Sequence, residues 1–283
     1  MILSDLVTSW LTPPRFPAPA FPIEPTRFSL TLPEVPLEGF PAVHYPEVLG
    51  VHKTVACYEW PSESNNSPTV LLAHGWGGCA AQFAAWLKPL HEAGYRVLAY
   101  DAPAHGASEG TLASAPANAA TLKALADWSG QPLHGVIAHS LGAIATTLAL
   151  AAGIQAQQLV FLGPVCYVAD GLKNHGLREG LSDSEADALV AYFQSEFSTD
   201  LTLLSALKGV PSPPPPLTIF HDRTDTSVPY DEAETIAAHW PGSTLIEVTR
   251  VGHTRILLAR GVIQQALSAL DGSVTPQETP PAP

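Results

Sequence analysis

From Val51 onward the chain alternates between two apolar patterns, and that alternation constrains its fold more than any other feature. Residues 69–73, 96–100, 133–138, 159–162, 217–220 and 244–248 are short runs of the kind that form buried strands. Residues 51–60 alternate apolar and polar, as a half-exposed strand does. Between these runs, residues 80–93, 112–128, 140–152, 232–240 and 255–270 carry apolar side chains at helical spacing, and Gly94 and Gly153 stop two of them. Strands that alternate with helices predict an α/β fold with a mostly parallel, doubly wound sheet covered on both faces. Chemistry in such a sheet sits beyond the carboxyl ends of the strands.

Two stretches break the pattern. Residues 1–50 are dense in proline, including Pro13, Pro14, Pro17, Pro19, Pro22 and Pro25. Each proline removes a donor and restricts its predecessor, which disfavours helix after about Leu11. The expectation is an extended N-terminal arm packed on the body. Residues 164–216 contain no clear buried strand. There Ser182-Asp183-Ser184-Glu185 is a capping-box pattern, followed by Ala186, Leu189, Val190, Phe193 and Phe197 on one helical face. Leu201, Leu203, Leu204 and Leu207 predict a further short helix, and Pro211 with the prolines at 213–216 ends the segment stiffly. We read it as a small helical cap inserted in a core of residues 51–163 and 217–272. Residues 273–283 read as a disordered tail.

Net charge is −13, from 13 basic and 26 acidic residues, which argues against nucleic acid or anionic lipid as a partner. No stretch approaches the ~18 uninterrupted apolar residues of a membrane span. The start, to Leu11, carries Asp5 and lacks the basic flank of a secretory signal. Cys57, Cys79 and Cys166 are odd in number and lack metal-ligand spacing. Neither a disulfide framework nor a zinc site is expected, and a reducing, cytoplasmic setting fits best.

Residues 133–138 run into Ala138-His139-Ser140-Leu141-Gly142 and then directly into a helix. A serine on so sharp a strand-to-helix turn presents its hydroxyl above the sheet edge. The turn needs small residues two before and two after the serine, and Ala138 and Gly142 meet that need. The literal G-x-S-x-G pattern lies elsewhere, around Ser108, but that stretch follows a loop and the next helix begins some residues later. Ser140 is therefore the candidate nucleophile. His139 beside it is expected to pack or make a local hydrogen bond.

The run 69–73 ends in His74-Gly75-Trp76-Gly77-Gly78, a glycine-rich turn that lets backbone N–H groups approach a ligand. The amides of Trp76 and Leu141 are the candidates for an oxyanion hole, and His74 reads as a structural hydrogen-bonding residue. After residues 217–220 come Asp222 and Asp225, two carboxylates able to orient a histidine. After residues 244–248 comes His253, in a loop with Gly252 just before a helix. With Asp225 as the acid, the chain order is Ser140, Asp225, His253, one of the three common orders of serine triads.

These pieces together resemble the α/β-hydrolase fold superfamily. The likeness rests on His74–Gly78, the loop from Asp101 to Ser108, the turn around Ser140, the segment from Asp222 to Pro229, and Gly252-His253. It spans roughly residues 70–257. The resemblance implies that the Asp101 loop is structural, which further demotes Ser108. It also implies an acid three residues before a Val-Pro pair, the position of Asp225. The family often has glycine where Asp222 stands, and its first turn glycine is replaced here by Ala138.

The expected function is hydrolysis of a small-molecule ester-type substrate by a serine hydrolase, through an acyl-enzyme, with no metal or organic cofactor implied. Thioesterase and acyl-peptide hydrolase activity use the same residues. A binding protein that keeps the fold without turnover is the alternative of a different class. Tyr167, Tyr192, Phe193 and Phe197 in the inserted segment hint at an apolar substrate group.

Overall fold

Val70, Leu71 and Leu72 are all buried, yet neighbours along this strand belong to different cores: Leu71 packs on one side of the sheet, Val70 and Leu72 on the other. Successive strand side chains point to opposite faces, so a run apolar at every position must be covered twice. The computed structural model of the protein describes residues 2–33, 48, 51–64 and 66–273. The expected tail, apart from Ser273, and residues 34–47, 49 and 50 of the expected arm lie outside them.

Among the described residues eight strands form the sheet: β1 (Thr26–Thr31), β2 (Thr54–Trp60), β3 (Thr69–Ala73), β4 (Arg96–Tyr100), β5 (Leu133–His139), β6 (Ala156–Leu162), β7 (Leu217–Asp222) and β8 (Thr244–Val248). Their order is β1-β2-β4-β3-β5-β6-β7-β8. β1 and β2 are antiparallel to their neighbours, and the strands from β4 through β8 are parallel. The helices are α1 (Leu3–Leu11), α2 (Ala84–Glu92), α3 (Ala115–Ser129), α4 (Leu141–Ala151), α5 (Val168–Arg178), α6 (Asp183–Glu196), α7 (Tyr230–His239), α8 (Gly252–Arg255) and α9 (Arg260–Leu270). One core contains residues of α1, α3, α4 and the inserted helices, and the other contains residues of α2 and α9. This is the α/β architecture that the alternation predicts.

The N-terminal segment contains regular structure at both ends. Leu6, Val7 and Leu11 repeat at helical spacing and are buried, which docks α1 on the body. β1 adds an edge strand, Thr26 opposite Glu59 through Thr31 opposite Thr54. Between them Arg15 is the anchor. Its guanidinium donates to the carbonyls of Ala104, Ser108 and Gly110 at 3.0, 3.0 and 2.9 Å.

In the insert, α6 begins with the capping box. Glu185 accepts the Ser182 N–H at 2.8 Å, and the Ser182 hydroxyl accepts the Glu185 N–H at 3.4 Å. A short 3-10 turn spans Leu201–Leu203. α5 has no counterpart in the sequence-based reading, because its buried side is sparse: Val168, Leu172 and Gly176.

The chain leaves β3 toward β4 on one side and returns to place β5 on the other side of β3. The turns after β3 and β5 therefore face each other where the connections diverge, the usual place for a ligand in an open α/β sheet. Among the described residues no helix is long and apolar enough to cross a membrane.

Candidate active site

Ser140 has φ +54° and ψ −120°, a backbone conformation that a residue with a side chain occupies only where its surroundings impose it. Here β5 runs into α4 without a loop. The Ser140 N–H donates to the Leu162 carbonyl at 3.0 Å, and its carbonyl accepts the Ala143 N–H at 3.1 Å. The turn is packed to contact on both sides. A Cβ on Gly142 would lie 2.5 Å from the Ala73 carbonyl oxygen, and a Cβ on Gly75 would lie 2.7 Å from the Ser140 Cβ. Ala138 is fully buried. The need for small residues around the serine thus comes from β3 and the turn that follows it.

The residues singled out as Ser140, Asp225 and His253 come together from β5, β7 and β8. His253 Nε2 lies 3.0 Å from Ser140 Oγ, and His253 Nδ1 lies 2.7 Å from Asp225 Oδ2. The carboxylate can only accept, so Nδ1 carries the proton and Nε2 faces the hydroxyl with its lone pair. Asp225 is buried, which by itself raises its carboxyl. Hydrogen bonds from His221, His253 and the Val228 N–H outweigh that and hold it well below the usual carboxylate range.

Asp222 does another job. Its Oδ2 accepts the N–H groups of Val251 and Gly252 at 2.6 and 2.7 Å, and its Oδ1 accepts the Thr224 N–H at 2.8 Å. Burial again pushes upward, but these N–H groups bring the carboxyl down to about 2. It ties the loop that carries His253 and makes no hydrogen bond to the ring.

Two more histidines pack around the trio. His139 Nε2 donates to the His253 carbonyl at 3.0 Å, and the two rings lie 4.8 Å apart. Burial, with His253 nearby, pushes His139 down to about 3, so it stays neutral. His221 is fully buried, donates to the Val228 carbonyl at 3.0 Å, and lies 3.5 Å from Asp225 Oδ2. Neither His221 nor the first helix was assigned a part at the site from the sequence. The spacing of Leu3, Leu6, Val7, Trp10 and Leu11 was the readable signal for the helix; nothing local marks His221.

Ser108 lies elsewhere. Its hydroxyl donates to the Asp101 carbonyl at 2.6 Å and accepts the Ala56 N–H at 2.8 Å, so both of its roles are taken inside the protein. Asp101 in turn accepts from Tyr58, Ala80 and Ala107 at 2.8, 2.8 and 2.9 Å. His74 accepts the Ala102 N–H at 2.9 Å and holds the same loop. Burial pushes it down to about 4.

A cavity of about 360 Å³ opens over Ser140, and both Trp76 and Leu141 line it. Leu141 is the first residue of α4, and leading helix amides lack intrahelical acceptors. In the glycine-rich turn the Gly77 N–H is taken by His105 at 3.0 Å and the Gly78 N–H by the Gly75 carbonyl at 3.1 Å. The Trp76 N–H has no such acceptor among the described residues. The cavity wall is largely apolar and includes Trp10, Val165, Tyr167 and Phe193; Tyr192 and Phe197 do not reach it. The three cysteines are free and buried, and no cluster able to hold a metal occurs among the described residues.

A family model described as the alpha/beta hydrolase fold matches residues 68–187. An esterase of Pyrococcus furiosus superposes with a TM-score of 0.65 at 21% identity, over 93% of this chain and 97% of that one. The chain has the α/β-hydrolase fold. Other members of the fold align similarly. A ferulic acid complex of Est1E from Butyrivibrio proteoclasticus gives a TM-score of 0.59 at 17% identity, over 78% of this chain and 97% of that one. An esterase from Exiguobacterium antarcticum gives 0.57 at 18%, over 78% and 96%. At such identities the likeness is one of fold. The α/β-hydrolase match includes Trp76, Ser140 and Leu141; Asp225, His253 and α1 lie outside it.

Proposed function

We propose that the protein is a serine hydrolase that cleaves an ester-type bond through an acyl-enzyme. The observation that carries this reading is the continuous chain of contacts from Ser140 Oγ to His253 Nε2 and from His253 Nδ1 to Asp225, on a strained turn beside an apolar cavity. The esterases that share the fold support the same class of reaction.

Ser140 Oγ attacks the substrate carbonyl carbon as its proton passes to His253 Nε2. Asp225 fixes the tautomer of the imidazole and stabilises the cation that forms. The carbonyl oxygen, now an oxyanion, is received by the N–H groups of Trp76 and Leu141, near the positive end of α4. Collapse breaks the bond to the leaving alcohol, which takes the proton from His253 Nε2. His253 then deprotonates a water that attacks the acyl carbon, and the acid departs as Ser140 regains its proton. The geometry serves an ester and a thioester alike, and the apolar wall favours an apolar acyl group.

A fluorophosphonate probe tests the assignment, because an activated serine attacks phosphorus as it attacks a carbonyl. Peptide mapping is expected to find the adduct on Ser140. Label on Ser108, or none on folded protein, overturns it. A panel of p-nitrophenyl esters and acyl-CoA thioesters then identifies the bond.

A further inference from the structure

We infer that Trp10, on the first helix, sets the length of the acyl chain accepted over Ser140. The acyl sense of this statement rests on Ser140 being the reacting residue.

The family match begins at residue 68, so α1 lies outside the part of the fold it describes. Yet Ser9, Trp10, Leu11 and Pro14 line the same cavity as Ser140. The helix is held firmly. Leu6, Val7 and Leu11 are buried beneath it, and the Leu11 carbonyl accepts the Ala113 N–H at 2.8 Å. Ser9 Oγ lies 3.0 Å from His175 Nε2, which links α1 to α5. Just beyond the helix, Arg15 grips the Ala104–Gly110 loop through its carbonyls. Held along its length in this way, α1 is a wall of the cavity rather than a flap.

The Trp10 indole crosses that wall. It stacks on Trp76 with centroids 6.2 Å apart and planes at 17°, and it meets Phe193 edge-on at 5.5 Å and 88°. Both partners line the cavity, Trp76 from the glycine-rich turn and Phe193 from α6. Trp10 therefore joins the two sides. A cavity of about 360 Å³ is near the small end of ligand pockets, which run from ~300 to ~1,000 Å³. A chain that runs against Trp10 meets a half-buried ring packed against two others, and lengthening it past the indole has to displace those packed atoms.

The test uses the full chain with Trp10→Ala, Trp10→Leu and Trp10→Phe. Trp128→Ala serves as a control, since Trp128 is an exposed indole that does not line this cavity. The first readout is the Kd of straight 1-alkanols from butanol to dodecanol, measured by isothermal titration calorimetry, which needs no chemistry at Ser140. In the parent, affinity is expected to rise with length and then fall at a stop. In Trp10→Ala and Trp10→Leu the stop is expected to move about two carbons later, with the first newly accepted homologue gaining roughly 10-fold or more. Trp10→Phe is expected to lie between these and the parent, and Trp128→Ala to keep the parent's stop. The second readout is kcat/KM across p-nitrophenyl esters, whose length order is expected to shift in the same sense.

A stop that stays in place in folded variants, with only Tm lowered, overturns the inference and makes Trp10 a packing residue. Absence of saturable alkanol binding to the parent also overturns it. If the stop moves but no ester or thioester is hydrolysed, the wall stands and the hydrolase reading falls. Should Trp10→Ala fail to fold, Trp10→Leu keeps an apolar contact and carries the test.

Discussion

Asp222 Oδ2 accepts the N–H of Gly252 at 2.7 Å, and Gly252 immediately precedes His253. Three residues along, Asp225 reaches the His253 ring itself at 2.7 Å. One carboxylate fastens the loop and the other orients the imidazole. This division of labour gives each of the two acids at the end of β7 its own part, and it separates the effects of removing them.

Asp225→Asn is expected to lower kcat far more than Asp222→Asn. An asparagine at 225 can present its amide to His253 and favour the wrong tautomer, a change that costs up to about 10⁴ in kcat in the serine-protease triad. Asp222→Asn is expected mainly to lower stability, by about 1–3 kcal/mol, because it weakens charge-assisted bonds to Val251 and Gly252. Steady-state kinetics and urea unfolding of the two folded variants check the ranking; the reverse order in kcat moves the acid role to Asp222.

Acid is expected to destabilise the fold through Asp222. Its carboxyl is lowered in the folded state, to about 2 from an ordinary 3.8. The associated stability is therefore fully present above pH ~4 and drains away as the pH falls toward 2, amounting to about 2 kcal/mol. The urea midpoint measured from pH 5 to pH 2 is expected to fall over that window, and less steeply in Asp222→Asn. Equal slopes in the parent and the variant would remove Asp222 from the account.

Gly75→Ala and Gly142→Ala are expected to differ in kind. A methyl on Gly142 runs into the Ala73 backbone, which has little freedom, and a loss of about 1–3 kcal/mol in stability follows. A methyl on Gly75 runs into the Ser140 Cβ, so the serine shifts. The rate of fluorophosphonate labelling, normalised to folded protein, is expected to drop more for Gly75→Ala than for Gly142→Ala.

Phe193→Ala is expected to change the acyl-chain profile, and Phe197→Ala is not. The two rings lie 4.4 Å apart and both are buried, but only Phe193 lines the cavity over Ser140. Both substitutions are expected to lower Tm, since a truncated buried Phe costs on the order of 3–5 kcal/mol. Relative kcat/KM over an ester series distinguishes them, and a shift in the Phe197 variant equal to that in the Phe193 variant overturns the assignment.

Much of this protein is written in short stretches. The buried strand at 69–73, the capping box of Ser182 and Glu185, and the turn from Ala138 to Gly142 depend on residues within a few positions of one another, and local periodicity and sterics decide them. That Ser140, and not Ser108, stands on a sharp strand-to-helix turn was legible for the same reason: a strand and a helix flank one and a loop precedes the other. Tertiary packing decided the rest. The residues by themselves offered two carboxylates, Asp222 and Asp225, and the family resemblance favoured Asp225; the placement of β8 beside β7 is what brings Asp225 to the ring and leaves Asp222 on the loop. The prolines after Leu11 drew attention to an extended arm, whereas the apolar face of Leu6, Val7 and Leu11 docks a helix whose Trp10 walls the cavity. Ser9 and His175 are 166 residues apart in sequence and 3.0 Å apart in space. No local pattern encodes such a contact, because it depends on how separately formed elements bury their apolar faces against one another.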